Sequence, residues 1–187
     1  MMDTNLTVKE IENALVFSGW FSIRNDIIIP NLSWGLLNHE ADLAILNKTG
    51  YLTEIEIKRS LADLRADFKK DIFHGDEHVY RFWYCLPLSI REKAFELFAE
   101  HWKRIGQLYN VSIDGVNSQK IITTHYPYVV WYDENGHLEV EAHKSDTRYG
   151  ARKLFLEERL TVARLASCRF WDMRKKQLIG EQQALNF

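Results

Sequence analysis

The segment between Glu40 and Asp71 reads EADLAILNKTGYLTEIEIKRSLADLRADFKKD, which predicts two short strands joined by a turn and followed by a helix. Side chains alternate between the two faces of a strand, so Glu54, Glu56 and Lys58 share one face of the second strand. The isoleucines between them point to the opposite face. Residues two apart lie about 7 Å apart along a strand, at roughly 3.3 Å per residue, so Glu56 and Lys58 can serve one reacting group.

The first strand of this pair also carries acids on one face. Glu40 and Asp42 share a side by the same alternation, with Ala41 and Leu43 opposite. Residues 47–50, Asn-Lys-Thr-Gly, are typical of a tight turn, so the two strands are predicted to form a hairpin. The acidic sides of both strands then lie together on one surface.

Two interpretations of this acidic surface remain open on the pattern alone. Charged residues that alternate with isoleucines are typical of an antiparallel sheet with one solvated face. However, carboxylates on adjoining strands repel one another, and like charges opposite each other destabilise a sheet. A divalent cation would reverse that penalty, because magnesium and manganese prefer hard oxygen ligands such as carboxylates.

These residues resemble the PD-(D/E)XK nuclease superfamily, whose motif is an Asp on one strand and Glu-x-Lys on the next. Asp42 and the run Glu56-Ile57-Lys58 match that motif. Over residues 5 to 100 the chain is also similar to the MmcB-like branch of the superfamily, which is linked to DNA repair. The further matching positions are Arg59-Ser60, Asp63-Leu64, Asp67-Phe68-Lys69 and Arg81-Phe82-Trp83-Tyr84-Cys85-Leu86-Pro87.

The resemblance implies a metal-dependent deoxyribonuclease that hydrolyses phosphodiester bonds. Asp42, Glu56 and the main-chain carbonyl of Ile57 would hold Mg²⁺ or Mn²⁺, which polarises the phosphate and lowers the pKa of a bound water. Lys58 would orient that water or stabilise the charge that develops on the phosphate oxygens. Glu40 faces the same side as Asp42 and is either a ligand for a second metal ion or a solvated acid at the start of the strand.

The first predicted helix, Thr7 to Ser18, carries two acids, and related nucleases often use an acid of this helix near the metal. Glu10 aligns with Ala14 on the inward side, so we select Glu10 rather than Glu12 as the catalytic candidate. The alternative is that Glu10 complements the helix dipole in the first turn.

The order of the predicted elements is α-β-β-β-α-β. It matches the restriction-endonuclease-like core of the superfamily and gives an α/β fold with a mixed sheet flanked by helices. A further amphipathic helix, a hairpin across Asn135-Gly136 and a long C-terminal helix from Ala151 to about Lys176 follow. The other predicted helices are 7–18, 60–70 and 89–104, and the predicted strands are 26–29, 40–46, 51–58, 78–86, 121–124, 128–132 and 137–142.

Charge is distributed unevenly along the chain, although the formal net charge is only −2. Residues 1–143, which we assign to the nuclease-like domain, carry 14 basic and 21 acidic side chains, a balance of −7. Residues 144–187, a helical extension packed on the same domain, carry 10 basic and 5 acidic side chains, a balance of +5. A basic segment suits phosphate binding, whereas ion pairs with Glu157 or Glu158 would explain the same residues. The candidates for nucleic-acid binding are Ser60, Lys69, Arg148, Arg152 and Lys153.

Whole-chain properties indicate a cytoplasmic protein, and the resemblance implies DNA as its partner. The 187 residues are 46% hydrophobic, and no apolar run approaches the roughly 20 residues that span a bilayer, so no membrane association is expected. A homodimer is compatible with this function because double-strand cutting needs two active centres, although no sequence feature indicates one. Two other functions remain open: an inactive module that keeps the nuclease scaffold to bind DNA or a partner, and a carboxylate-pair hydrolase with a different substrate.

Overall fold

The computed structural model describes residues 6–33, 35–70, 76–108, 128–141 and 151–184. Its helices and strands follow the predicted order α-β-β-β-α-β, and a third helix, a hairpin and a long fourth helix come after them. Their bounds are α1 Val8–Phe17, β1 Ile27–Leu32, β2 Ala41–Leu46, β3 Leu52–Ile57, α2 Leu61–Asp67, β4 Val79–Pro87, α3 Arg91–Leu108, β5 Tyr128–Tyr132, β6 Leu138–Glu141 and α4 Leu156–Ala184. The predicted α/β fold is therefore confirmed, and the predicted strand at 121–124 lies outside the described residues.

The described strands form one six-stranded mixed sheet in the order β1-β2-β3-β4-β5-β6. The first three strands pair antiparallel, as do β5 and β6, whereas β4 lies parallel to both β3 and β5. A parallel step requires a crossover connection, and α2 lies within the connection from β3 to β4. Strand β3 therefore has an antiparallel neighbour on one side and a parallel neighbour on the other.

The β2–β3 hairpin forms as predicted because Asn47 organises its turn. The side-chain carbonyl of Asn47 accepts a hydrogen bond from the amide of Thr49 at 3.0 Å. Gly50 has a φ of 93°, a conformation that costs a glycine little. The register places Leu43 opposite Ile55, so the start of β2 lies beside the end of β3.

The two faces of the sheet have separate hydrophobic cores. Helix α1 covers the face of Leu43, Ile45, Ile55, Ile57, Trp83 and Cys85. The second face contains Ala44, Leu46, Leu52, Phe82, Tyr84 and Leu86, and it packs against α2, α3 and α4 through Leu64, Phe98 and Val162. By strand alternation, Asp42, Glu54 and Glu56 belong to this second face.

The first two helices are preceded by the capping residues Thr7 and Ser60. The hydroxyl of Thr7 accepts a hydrogen bond from the amide of Glu10, and the Glu10 carboxylate accepts one from the amide of Thr7 at 2.7 Å. At the start of α2, the hydroxyl of Ser60 accepts a hydrogen bond from the amide of Asp63 at 3.2 Å. These bonds satisfy amides that the first helical turn leaves without a helical partner.

Helix α4 begins at Leu156, and the predicted start at Ala151 is wrong. The intervening residues are held to the rest of the chain by main-chain hydrogen bonds instead of helical ones. The amide of Arg152 donates to the carbonyl of Glu77 at 3.1 Å, and that of Leu154 donates to the carbonyl of Gly50 at 2.8 Å. Neither α4 nor another helix in the described ranges combines the length and apolar character required to span a bilayer.

Candidate functional site

The start of β2 and the end of β3 bring the predicted motif residues together. Because these strands are antiparallel neighbours, Asp42 reaches across to β3, and its carboxylate accepts a hydrogen bond from the amide of Ile57 at 2.8 Å. Asp42 is half-buried, whereas Glu56 is buried. The structure thus places the Asp42 carboxylate beside the segment Glu56-Ile57-Lys58.

Lys58 is buried, with an exposed fraction of 8%, and lies between two carboxylates. Its ammonium group forms an ion pair with Glu56 and a second one with Asp67, in which Nζ and Oδ1 are 3.1 Å apart. Burial opposes the charged form of Lys58, but the charges of Glu56 and Asp67 outweigh it and raise the pKa above the ordinary 10.5. Lys58 is therefore a cation at neutral pH.

Asp67, the last residue of α2, connects the lysine to the sheet. It is 1% exposed and accepts a hydrogen bond from the hydroxyl of Tyr84 at 2.6 Å. A second cation, Lys70, approaches Oδ1 to 2.6 Å. Burial and the charge of Asp67 raise the pKa of Tyr84, so its hydroxyl stays a neutral donor. We call Asp42, Glu56, Lys58, Asp67 and Tyr84 the Lys58 cluster.

A second buried carboxylate, Glu54, lies two residues before Glu56 on the same face of β3. It has no exposed surface, and its Oε1 lies 2.7 Å from Nε2 of His39. The other ring nitrogen of His39 lies 2.6 Å from the side-chain oxygen of Asn38. Sequence analysis did not identify His39, because the loop before β2 has no periodic pattern that would place it over β3.

Of the two acids on α1, Glu12 is the one whose pKa responds to the charge of Asp42 in the Lys58 cluster. The structure does not support the choice of Glu10 as the catalytic candidate. The Glu10 carboxylate is exposed and turned back onto Thr7, where it accepts the two hydrogen bonds from the amide and the hydroxyl at 2.7 and 2.8 Å. Glu12 is half-buried, and burial together with the charge of Asp42 raises its pKa above 4.5. The Thr-x-x-Glu pattern of a capping box was the sequence signal that assigns Glu10 to the helix start.

We predict that Glu12→Gln weakens Mn²⁺ binding by about two- to fivefold, the scale of one partly exposed charge–charge interaction. The reason is that Glu12 adds negative charge next to Asp42. Isothermal titration of the purified protein with Mn²⁺ measures the effect. Glu10→Gln, on the same helix but in the cap, should leave Mn²⁺ affinity unchanged, and equal effects of the two variants would refute this role of Glu12.

Three other predicted residues lie around the site without joining the Lys58 cluster. Glu40 is exposed and precedes β2, which fits the solvated alternative better than a second metal ligand. The hydroxyl of Ser60 is used in the cap of α2. Lys69 is exposed, as a phosphate-binding lysine must be, and it borders a cleft of about 270 Å³ between α2 and α3.

The three phosphate-binding candidates of the basic segment have different surroundings. Arg152 is held in ion pairs with Glu158 at 2.6 Å and Glu77 at 3.2 Å, so the ion-pair alternative applies to this residue. Lys153 is exposed and lies over the ring of Tyr51, 5.1 Å from its centre. Arg148 lies outside the described residues.

The Arg152–Glu158 pair predicts an acid-sensitive attachment of α4. The hydrogen bond from Arg152 lowers the pKa of Glu158 from 4.5 to about 2. A carboxylate with a lowered pKa stabilises the folded state above its unfolded pKa, and that contribution disappears as the pH falls from 4.5 to about 2. In urea unfolding, Glu158→Gln should therefore be less stable than the parent at neutral pH. The two proteins should be equally stable at a pH near the lowered pKa of about 2. A constant difference across this range would contradict the prediction.

The donor chemistry of the Lys58 cluster fits a hard divalent cation. No group of three or more His, Cys, Asp or Glu side chains that could hold a metal occurs in the part of the chain that the structure describes. Magnesium needs fewer protein ligands, because it keeps several waters and is usually bound by one or two carboxylates together with substrate phosphates. Asp42 and Glu56, with the carbonyl of Ile57, would supply such an oxygen set.

The fold and site define an α/β protein with a buried lysine held between carboxylates at the end of an interior strand of a mixed sheet. A solved structure of a protein of unknown function from Silicibacter pomeroyi is similar to this chain, with a TM-score of 0.50 and 12% sequence identity. The similarity covers 98% of this chain and 94% of that chain, and at this identity it concerns the fold alone. No protein-family description matches the chain, and no curated protein matches it.

Proposed function

We propose that this protein is a metal-dependent deoxyribonuclease of the PD-(D/E)XK type, acting in DNA repair, recombination or defence. One observation carries the proposal: Asp42 accepts a hydrogen bond from Ile57, and Lys58 contacts Glu56. An acid of one strand and the Glu-x-Lys of the next therefore converge on one place. The motif match supports a shared chemistry because the residues that would perform it are adjacent in space.

Asp42, Glu56 and the carbonyl of Ile57 would hold Mg²⁺ or Mn²⁺. When bound, such an ion polarises a phosphate and lowers the pKa of its water. Asp42 is positioned for this role by the hydrogen bond from Ile57, which fixes the direction of its carboxylate. Glu56 lies on the same face of the sheet as Asp42, on the neighbouring strand β3, which is a rigid element.

Lys58 acts in this proposal as a cation. The charges of Glu56 and Asp67 raise the pKa of Lys58, which favours its ammonium form. An ammonium group held beside Glu56 can stabilise the negative charge that develops on the phosphate oxygens. Asp67 holds the ammonium group from the other side and is a positioning residue for Lys58.

The alternative is a module that binds DNA or a protein partner through the nuclease scaffold without turnover. One observation favours it: Lys58 is paired with both Glu56 and Asp67, as in a purely structural ion-pair network. Such a network would stabilise the packing of α2 on the end of β3 with no substrate bound. A hydrolase that acts on a substrate other than DNA would use the same carboxylates.

The test is to incubate the purified protein with linear, nicked, single-stranded and branched DNA in the presence of Mn²⁺. The proposal predicts cleavage of at least one substrate, and loss of cleavage on addition of a chelator. Asp42→Asn should abolish cleavage, whereas Glu40→Gln, an exposed acid two positions earlier, should not. Binding without cleavage would favour the inactive module, and neither binding nor cleavage would favour a different substrate.

A further inference from the structure

The cleft of about 270 Å³ between α2 and α3 lies next to the Lys58 cluster. Phe68, which lines the cleft, directly follows Asp67 in the chain, and its ring packs edge-on against Tyr84 with ring centres 6.2 Å apart. A group bound in the cleft would therefore lie beside the residues to which the proposed function assigns the reaction. The lining residues are Arg65, Phe68 and Lys69 of α2 and Leu97, Glu100 and His101 of α3.

Two of the residues that line the cleft form a stacked pair of rings. The centres of Phe68 and His101 are 4.1 Å apart and their planes differ by 16°. Both residues are buried, with exposed fractions of 8% and 6%, and the neighbouring lining residue Leu97 is partly buried. An aromatic and apolar lining suits the flat ring of a nucleobase, which packs on such side chains whatever its identity.

The charged residues of the cleft differ between its two sides. Arg65 and Lys69 are four residues apart, so they lie on one side of α2, and both are exposed. Exposed cations bind the phosphates of nucleic acids. Glu100, on the α3 side, repels phosphate but can accept a hydrogen bond from the amino group of a base such as cytosine. The charges therefore favour a nucleotide with its phosphate toward α2 and its base toward α3.

A nucleotide bound in this orientation must be unpaired. In a duplex the bases are paired and stacked inside the helix, and turning one outward costs unpairing and unstacking energy. We propose that the cleft binds one nucleotide of an unpaired DNA strand beside the Lys58 cluster. This inference rests on the proposed function and deepens it, because the nuclease would then act on single-stranded DNA or on a single-stranded flap.

Fluorescence anisotropy of a labelled DNA strand tests the cleft separately from the reaction, since a chelator prevents cleavage. The parent should bind a single strand about tenfold tighter than a blunt duplex of the same length, because the duplex must first release a base. Equal affinities for the strand and the duplex, or no binding of either, would overturn the proposal.

Arg65→Gln tests the cationic side of the cleft. It should weaken binding of the single strand by about two- to fivefold, the scale of one exposed charge pair. The plot of log affinity against log salt concentration should become less steep by about 0.7, the value of one phosphate contact on a single strand. Lys9→Gln is the matched control, because Lys9 is exposed on α1, which covers the other face of the sheet. Equal salt dependences of the two variants would argue against a phosphate at Arg65.

Leu97→Trp tests the cleft by filling it. It should weaken binding of the single strand by about tenfold, the scale of one base–aromatic contact. Leu160→Trp makes the same change at an exposed position of α4 and should bind the strand as the parent does. Urea unfolding shows whether both variants are folded. A folded Leu97→Trp with parental affinity would refute the proposal, and if this variant is unfolded, Arg65→Gln decides.

Base identity and a free nucleotide test the orientation and the source of the ligand. A strand of deoxycytidines should bind about fivefold tighter than one of thymidines, the scale of one hydrogen bond, and Glu100→Ala should abolish this preference. Equal binding of both strands would contradict the orientation. If deoxycytidine monophosphate binds as tightly as the strand, the cleft takes a free nucleotide and the proposal fails.

The two proposals fail in different ways. Binding of the strand through the cleft, without cleavage in Mn²⁺, would refute the nuclease and leave the cleft as a site for unpaired DNA. Cleavage of DNA by the parent and by a folded Leu97→Trp at equal rates and with equal affinities would leave the nuclease and refute the cleft.

Discussion

Lys58→Met should reduce the rate of DNA cleavage by about a hundred- to a thousand-fold, the range observed when one stabilising donor is removed from an active site. The substitution replaces the ammonium group that contacts Glu56 and Asp67 by an apolar chain of similar length. The carboxylates remain, so Mn²⁺ binding should persist. Single-turnover cleavage of the DNA substrate that the parent cuts best measures the loss.

Lys69→Met makes the same chemical change at an exposed lysine on the neighbouring helix end. It should retain cleavage at a low salt concentration, although its affinity for DNA can fall if Lys69 contacts a phosphate. Urea unfolding distinguishes a lost catalytic group from a lost fold. Cleavage by Lys58→Met at the parental rate would show that the ammonium group has no part in the chemistry.

Asp67→Ala should lower the free energy of unfolding by about 3–5 kcal/mol, the usual result of removing one partner of a buried ion pair. Asp67 is 1% exposed and holds Lys58, Lys70 and the hydroxyl of Tyr84. Lys58 forms ion pairs with Glu56 and Asp67, so without Asp67 its buried ammonium group keeps only the pair with Glu56. Equilibrium unfolding in urea measures the difference.

The exposed Asp63, four residues earlier on α2, provides the control, because Asp63→Ala leaves the Lys58 cluster intact. A double-mutant cycle with Tyr84→Phe then isolates the bond between Tyr84 and Asp67. The two effects should not add, since each variant removes the same hydrogen bond. Equal stabilities of Asp67→Ala and Asp63→Ala would contradict the described network.

The hairpin that carries the site could be predicted from local sequence alone. Strand alternation placed Asp42, Glu54 and Glu56 on one face, and residues 47–50 specified the turn that brings the two strands together. The helix starts at Thr7 and Ser60 were readable for the same reason, because a cap depends on residues three apart. Such features need no knowledge of distant contacts.

The burial of Asp67 could not be predicted with the same certainty. Its spacing from Leu64 places it on the buried side of α2, which is a readable signal. However, charged residues are almost never fully buried unless they are paired, and the partner Tyr84 lies 17 residues further along the chain. Only the parallel pairing of β3 and β4 brings that tyrosine under α2. Sequence analysis therefore included Asp67 only as a position that matches the family pattern, without its buried ion pair.

Two further differences arise because the candidate side chains are held by other partners. The selection of Glu10 followed from helix spacing, but its carboxylate bonds to Thr7, and Glu12 is the acid that interacts with Asp42. Arg152 was a candidate for phosphate binding, but it is held by Glu158 and by Glu77, which lies 75 residues away in sequence. In each case a hydrogen-bond partner competes with the predicted role: the donors of Thr7 for Glu10, and the carboxylates of Glu158 and Glu77 for Arg152.

In the proposed function, Asp42 and Glu56 hold one divalent cation beside Lys58. Titration of the purified protein with Mn²⁺, followed by electron paramagnetic resonance of the free ion, tests this claim most directly. We predict one bound Mn²⁺ per chain in the parent and in Lys58→Met, and loss of that site in both Asp42→Asn and Glu56→Gln. Equal Mn²⁺ binding by the parent and by Asp42→Asn, or its absence from the parent, would contradict the account.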